Sequence, residues 1–173
     1  VVWNVTRRCN LRCRHCYAQA ADGATGTELS TDQGRALLDD LTQFGCPVVL
    51  FSGGEPLLRP DLLELVAHAK RQGLRAVLST NGTLLTPATA AALAAAGLAY
   101  AGISLDGREG TNDEFRGVPG AFGRARAGIA ACQQAGLKVG VRFTITRHNA
   151  ADGDWTGTLA FNEEESFYNA TEG

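Results

Sequence analysis

Along the first 146 residues, short apolar runs alternate with longer segments in which apolar residues return every three or four positions. VVWNV reads as an opening strand. In LSTDQGRALLDDLTQFG, Leu37, Leu38, Leu41 and Phe44 form one stripe, Ser30 and Gln33 have capping-box spacing, and Gly45 supplies a stop, so a helix is predicted. PVVLFSGG is a continuous apolar run ending in glycines, the pattern of a strand buried on both faces. RPDLLELVAHAKRQG predicts a second helix, with Pro60 near its start, Asp61 and Glu64 early, and Lys70 and Arg71 late, charges that complement the helix dipole.

The alternation continues. RAVLST, YAGISLDG and KVGVRFTIT read as strands, while TPATAAALAAAG, with Thr86 as cap and Pro87 in the first turn, and GAFGRARAGIAACQQAG read as helices. Five strands alternating with helices predict βαβ units, a parallel sheet and an α/β fold. In such sheets chemistry gathers at the carboxyl ends of the strands, and SGGEP, STNG and SLDG all fall there. Residues 1–150 are read as one core. Residues 151–173 break the pattern, with an acidic run at Glu163–Glu165 and no helix period, and are expected to be a poorly patterned tail, truncated or foreign.

Charge and composition narrow the function classes. A net charge of −2 with scattered basic residues provides no field for nucleic acid or anionic lipid. No run of about 18 apolar residues appears, and VVWNVTRRCN lacks the order of a secretory signal, so no membrane role and a cytoplasmic location are expected. Five cysteines, an odd number with three clustered, suit a reducing compartment better than a disulfide framework. Cys46 and Cys132 lie among apolar neighbours and are read as small core residues.

The clustered cysteines carry the chemistry. Cys9, Cys13 and Cys16 have CxxxCxxC spacing, and thiolates suit zinc or iron–sulfur sites. One loop with three thiols can hold three irons of a four-iron cluster and leave the fourth iron without a protein ligand. The alternative is zinc, with His15 as a fourth ligand, although His15 adjoins Cys16 and would have to double back.

CxxxCxxC followed by an aromatic residue, with GGEP after the next strand, resembles the radical S-adenosylmethionine (SAM) superfamily. The resemblance covers nearly all of residues 1–150. It implies a partial (βα)6 barrel of which about five units are recognisable here. It also implies a [4Fe–4S] cluster held by Cys9, Cys13 and Cys16, with SAM chelating the open iron. Gly53 and Gly54 would let the backbone approach SAM closely, and Glu55 would accept hydrogen bonds from its ammonium. Tyr17 would face the adenine, and Asn81, Ser104 and Asp106 would lie near the ribose or substrate, although turn capping explains those three nearly as well. The implied reaction is reductive: an electron from a donor such as flavodoxin or ferredoxin cleaves SAM, and the resulting 5′-deoxyadenosyl radical abstracts hydrogen from substrate.

Further segments, including LSTNGTLLT, GISLDG, DEFRGVPGAFGRA and GLKVGVRFTITRHN, resemble the NirJ branch, which acts in haem d1 biosynthesis, and the enzymes of the sirohaem-dependent haem pathway. That implies a sirohaem-derived tetrapyrrole as substrate, with loss of propionate side chains. A peptide-modifying maturase of the same superfamily is the nearest alternative, and a non-catalytic metal-binding fragment is an alternative of another class. Branch members carry a cysteine-rich carboxyl-terminal extension for an auxiliary cluster, whereas no cysteine follows Cys132, so a truncated chain is expected. Arg116 and Arg142 are candidates for pairing with a substrate or SAM carboxylate, or for structural ion pairs.

Overall fold

A computed structural model describes residues 1–16, 18, 20, 28–146 and 149–150. Its centre is a five-stranded sheet, β1 (Val2–Thr6), β2 (Val48–Gly53), β3 (Arg75–Thr80), β4 (Tyr100–Leu105) and β5 (Val139–Phe143), in sequential order with every neighbouring pair parallel. Helices α1 (Thr31–Gln43), α2 (Leu62–Arg71), α3 (Pro87–Ala95), α4 (Glu109–Arg116) and α5 (Ala121–Gln134) fill the crossovers. Sequential parallel order is that of a (βα) barrel left open, and the expected sixth unit and tail fall outside the described residues.

Local signals set the helix starts. Ser30 accepts from the Gln33 N–H while the Gln33 side chain returns to the Ser30 N–H, and Thr86 caps α3 by accepting from the Thr89 N–H. One helix escapes the hydrophobic pattern altogether. The buried residues of α4 are Asn112, Phe115 and Arg116, so two of its three inward positions are polar and no apolar stripe marks it. A 3₁₀ turn at Pro56–Leu58 was likewise not predicted; it follows directly from the Pro56 that ends GGEP.

The two faces of the sheet differ. Val49 and Phe51 of β2, Ala76 and Leu78 of β3, and Ala101, Ile103 and Leu105 of β4 join α1, α2, α3 and α5 in the main core. Phe51 and Leu78 are fully buried, and each such side chain stabilises the fold by about 1.5–3 kcal/mol. The alternate residues, Leu50, Ser52, Val77, Ser79, Gly102 and Ser104, point away from the helices. Leu50 and Val77 are only half-buried while Ser52 is buried, so the expectation that β2 is buried on both faces holds fully on the helix side and in part on the other. Cys132 is fully buried in the core and Cys46 packs against it, as read from sequence; burial pushes the Cys132 thiol up to about 11.

Arg59 fixes how the segment after β2 returns to the sheet. Its buried guanidinium donates to the Val5 carbonyl (2.9 Å), the Leu29 carbonyl (2.8 Å) and both carboxylate oxygens of Asp61 (2.7 and 2.9 Å), and it lies over the Trp3 ring. That single side chain ties β1, the approach to α1 and the start of α2 together beneath the glycine loop.

Candidate functional site

The loop following β1 carries Cys9, Cys13 and Cys16, and it is stitched to each neighbouring loop at the carboxyl edge of the sheet. Toward β2, the Gly54 N–H donates to the Thr6 carbonyl and the Glu55 N–H to the Arg8 carbonyl, both at 2.8 Å. Toward β3, Asn81 Nδ2 donates to Asn10 Oδ1 (2.9 Å), and Asn10 Nδ2 donates to Thr83 Oγ1 (2.8 Å). Toward β4, His15 Nε2 lies 3.3 Å from Asp106 Oδ2, with its ring against Phe115. Toward α4, the Arg12 and Arg14 N–H groups donate to the carbonyls of Arg116 (3.0 Å) and Phe115 (2.9 Å).

This stitching explains the glycines. Gly53 has φ +133°, a conformation open to glycine, and a methyl group on Gly54 would lie 2.7 Å from the Arg8 carbonyl carbon. Any larger residue at either position pushes the glycine loop off the cysteine loop.

Glu55 is fully buried. Its Oε1 accepts from the Leu57 N–H (3.1 Å) and the Thr80 hydroxyl (2.7 Å), and Oε2 accepts from the Asn81 N–H (2.8 Å). Burial raises its pKa, against the lowering effect of those same donors. Glu55 therefore joins the glycine loop to the end of β3, a tie for which its position in GGEP gave no signal.

Each of the three thiols has an N–H donor. The Leu11 N–H reaches Cys9 Sγ and the Ala20 N–H reaches Cys16 Sγ, both at 3.4 Å, while Arg116 Nη1 lies 3.7 Å from Cys13 Sγ. Burial raises the Cys9 and Cys13 thiols, and the Arg116 charge opposes the rise at Cys13. Metal binding would displace those protons, and N–H donors suit sulfurs that carry negative charge. Among the described residues no three His, Cys, Asp or Glu side chains converge as a single-ion site. A four-iron cluster does not need such convergence, since each cysteine binds its own iron. The residues present fit that group, and Cys9, Cys13 and Cys16 would hold it.

Asp106 is buried and faces Arg116 Nη2 at 2.7 Å, so the structural ion pair is the alternative realised for Arg116. The contact is an ion pair and not a directed hydrogen bond, which leaves Asp106 Oδ2 and Arg116 Nε without a hydrogen-bond partner among the described residues. Ser104 is half-buried on the helix-free face, and Arg142 is its register partner in β5. Tyr17 lies outside the described residues. Sequence reasoning missed Asn10, Thr80 and Thr83, two loop residues and the last residue of β3, whose roles appear only when β3 is set beside the cysteine loop.

The radical SAM superfamily model matches residues 3–161, and the chain belongs to that superfamily. It is 59% identical over 152 residues to the Fe-coproporphyrin III synthase of Methanosarcina barkeri, covering 88% of this chain and 38% of that protein. Identity to the pre-heme d1 synthase of Dinoroseobacter shibae is 49% over 149 residues, covering 86% of this chain and 37% of the relative. Identity to the mycofactocin maturase MftC of Mycobacterium tuberculosis (strain ATCC 25618 / H37Rv) is 40% over 164 residues, covering 92% and 41%. The chain thus spans about two fifths of the length of these relatives. Streptococcus suis SuiB bound to S-adenosylmethionine shares the fold with a TM-score of 0.73 at 21% identity, over 84% of this chain and 34% of that one. The cofactors of the superfamily are a [4Fe–4S] cluster and SAM. Among the described residues no helix is long and apolar enough to cross a membrane.

Proposed function

We propose that this chain is the SAM-cleaving core of a radical enzyme acting on a sirohaem-derived tetrapyrrole, removing propionate side chains as in haem d1 biosynthesis. When bound, the cluster and SAM supply a one-electron cleavage that yields methionine and a 5′-deoxyadenosyl radical, which takes a hydrogen atom from substrate. Cys9, Cys13 and Cys16 would hold the cluster, and the N–H groups beside them would stabilise their thiolates. Gly53 and Gly54 bring the backbone close to where SAM binds. Glu55, buried with its oxygens on Leu57, Thr80 and Asn81, ties the glycine loop to the end of β3 and would accept a hydrogen bond from the methionine ammonium. Tyr17 would face the adenine, and Asn81, Ser104 and Asp106 would lie near the ribose or substrate. Residues 1–150 form this core in the cytoplasm, fed by a flavodoxin or ferredoxin, and nucleic acid and membrane have no part.

The observation that carries the reading is the cysteine loop with one N–H on each sulfur, stitched at the carboxyl edge to the glycine loop. Anaerobic reconstitution with iron and sulfide, followed by electron paramagnetic resonance with and without SAM, tests the core: a four-iron signal that shifts on SAM addition is expected. Stoichiometric zinc without sulfide would support a non-catalytic metal-binding fragment. The likeness to MftC favours a peptide maturase as the second reading. Turnover of a tetrapyrrole against turnover of a peptide separates the two.

A further inference from the structure

Three arginines are drawn in from the surface near the sheet, and two are matched: Arg59 by Asp61 and Arg116 by Asp106, each at 2.7 Å. Arg142 has no carboxylate partner among the described residues. It pairs in register with Ser104 on the helix-free face, one step from the carboxyl end of β4. Its side chain runs back over Gly102, where a methyl carbon would fall 3.0 Å from Cζ and 3.1 Å from Cδ, and closer still to Nε. Opposite Gly102 in register stands Gly140, and a methyl there would lie 3.1 Å from Cζ of Tyr100. One pair of glycines thus leaves the sheet bare enough for a guanidinium and a phenol to lie along it.

Arg142 is half-buried on the face away from the helices, and a guanidinium without a carboxylate partner there is free to take an anion. Its planar fork fits a carboxylate, and the Gly102 seat fixes the plane in which that carboxylate must approach. We propose that Arg142, seated on Gly102, anchors a carboxylate of the substrate over β4, on the face of the sheet turned away from the helices. The inference rests on the reading above only for the substrate's identity, a propionate-bearing tetrapyrrole.

The test uses cluster-loaded protein with coproporphyrin III, which carries four propionates, and its tetramethyl ester, alongside SAM affinity. Arg142→Gln is expected to weaken coproporphyrin III binding about ten-fold or more, and Arg142→Lys less, as for loss of a charged hydrogen bond. Gly102→Ala, which keeps the charge but displaces it, is expected to weaken binding as well. The ester should bind wild type and Arg142→Gln alike, and SAM affinity should stay within about two-fold. Loss of SAM affinity with coproporphyrin III binding intact would assign Arg142 to the methionine carboxylate and overturn the proposal, as would unchanged binding of both. If wild type ignores coproporphyrin III but binds an acidic peptide in an Arg142-dependent way, the tetrapyrrole reading fails and the anchor stands. Binding of neither overturns the anchor. Circular dichroism of each variant separates lost binding from lost fold.

Discussion

Arg116 lies between Asp106 and Cys13, 2.7 Å from the carboxylate and 3.7 Å from the sulfur. One guanidinium thereby serves the end of β4 and the cysteine loop at once. Asp106→Asn leaves a buried charge unmatched and is expected to destabilise the fold by about 3–5 kcal/mol in urea unfolding. Arg116→Gln removes positive charge and a donor from beside Cys13, the proposed cluster ligand, so the reduction potential of the reconstituted cluster should become more negative, with Arg116→Lys between. An unchanged potential in a redox titration would reduce Arg116 to an ion-pair partner.

The five cysteines divide into two groups by position. Alanine at Cys9, Cys13 or Cys16 is expected to abolish bound iron and acid-labile sulfide after reconstitution. Alanine at Cys46 or Cys132 should leave both intact, with Cys132→Ala, in the core, costing about 1 kcal/mol of stability. Iron loss from the Cys46 or Cys132 variants would contradict the assignment.

Glu55 receives three donors in a dry site, and an amide cannot accept all of them. In either orientation, Glu55→Gln sets an NH₂ against an N–H or O–H. The expected cost is about 1–3 kcal/mol, measured by denaturant midpoint. A variant as stable as wild type would mean that these bonds do not hold the loop to β3.

Asp61 gives the fold a sensitivity to acid. Burial would raise its carboxyl, but hydrogen bonds from Arg59 and Thr31, with the Arg59 charge, hold it below its ordinary value. A lowered folded pKa contributes stability that is fully present above the unfolded value, about 3.9, and is lost as pH falls through the folded one. The stability gap between wild type and Asp61→Asn is therefore expected to be constant from about pH 7 to 5 and to close below about pH 4. A gap that persists in acid would contradict the shift.

The sheet and four of its five helices were legible because Leu38, Val49, Phe51 and Leu93 repeat with the periods their elements require. The grouping of three cysteines on one loop was legible because their spacing is a local property of the chain. The fourth helix was not, since Asn112 and Arg116 are buried through polar contacts that no hydrophobic period encodes. Nor was the fate of the two candidate arginines: Arg116 and Arg142 are equivalent as letters, and only the position of Asp106 decides which is matched.

The donation of the Arg12 and Arg14 N–H groups to the last turn of α4 also imposes an order on synthesis. Cys13 and Arg116 stand 103 positions apart. At ribosomal rates of roughly 5–20 residues per second, Cys13 emerges about 5–20 s before the arginine that faces it. Throughout that interval the cysteine loop can join β2 and β3 but lacks its contacts to α4. Productive cluster delivery thus belongs after the fourth helix has left the ribosome, and a ribosome stalled before that point would display a metal-hungry tripod with nowhere to close.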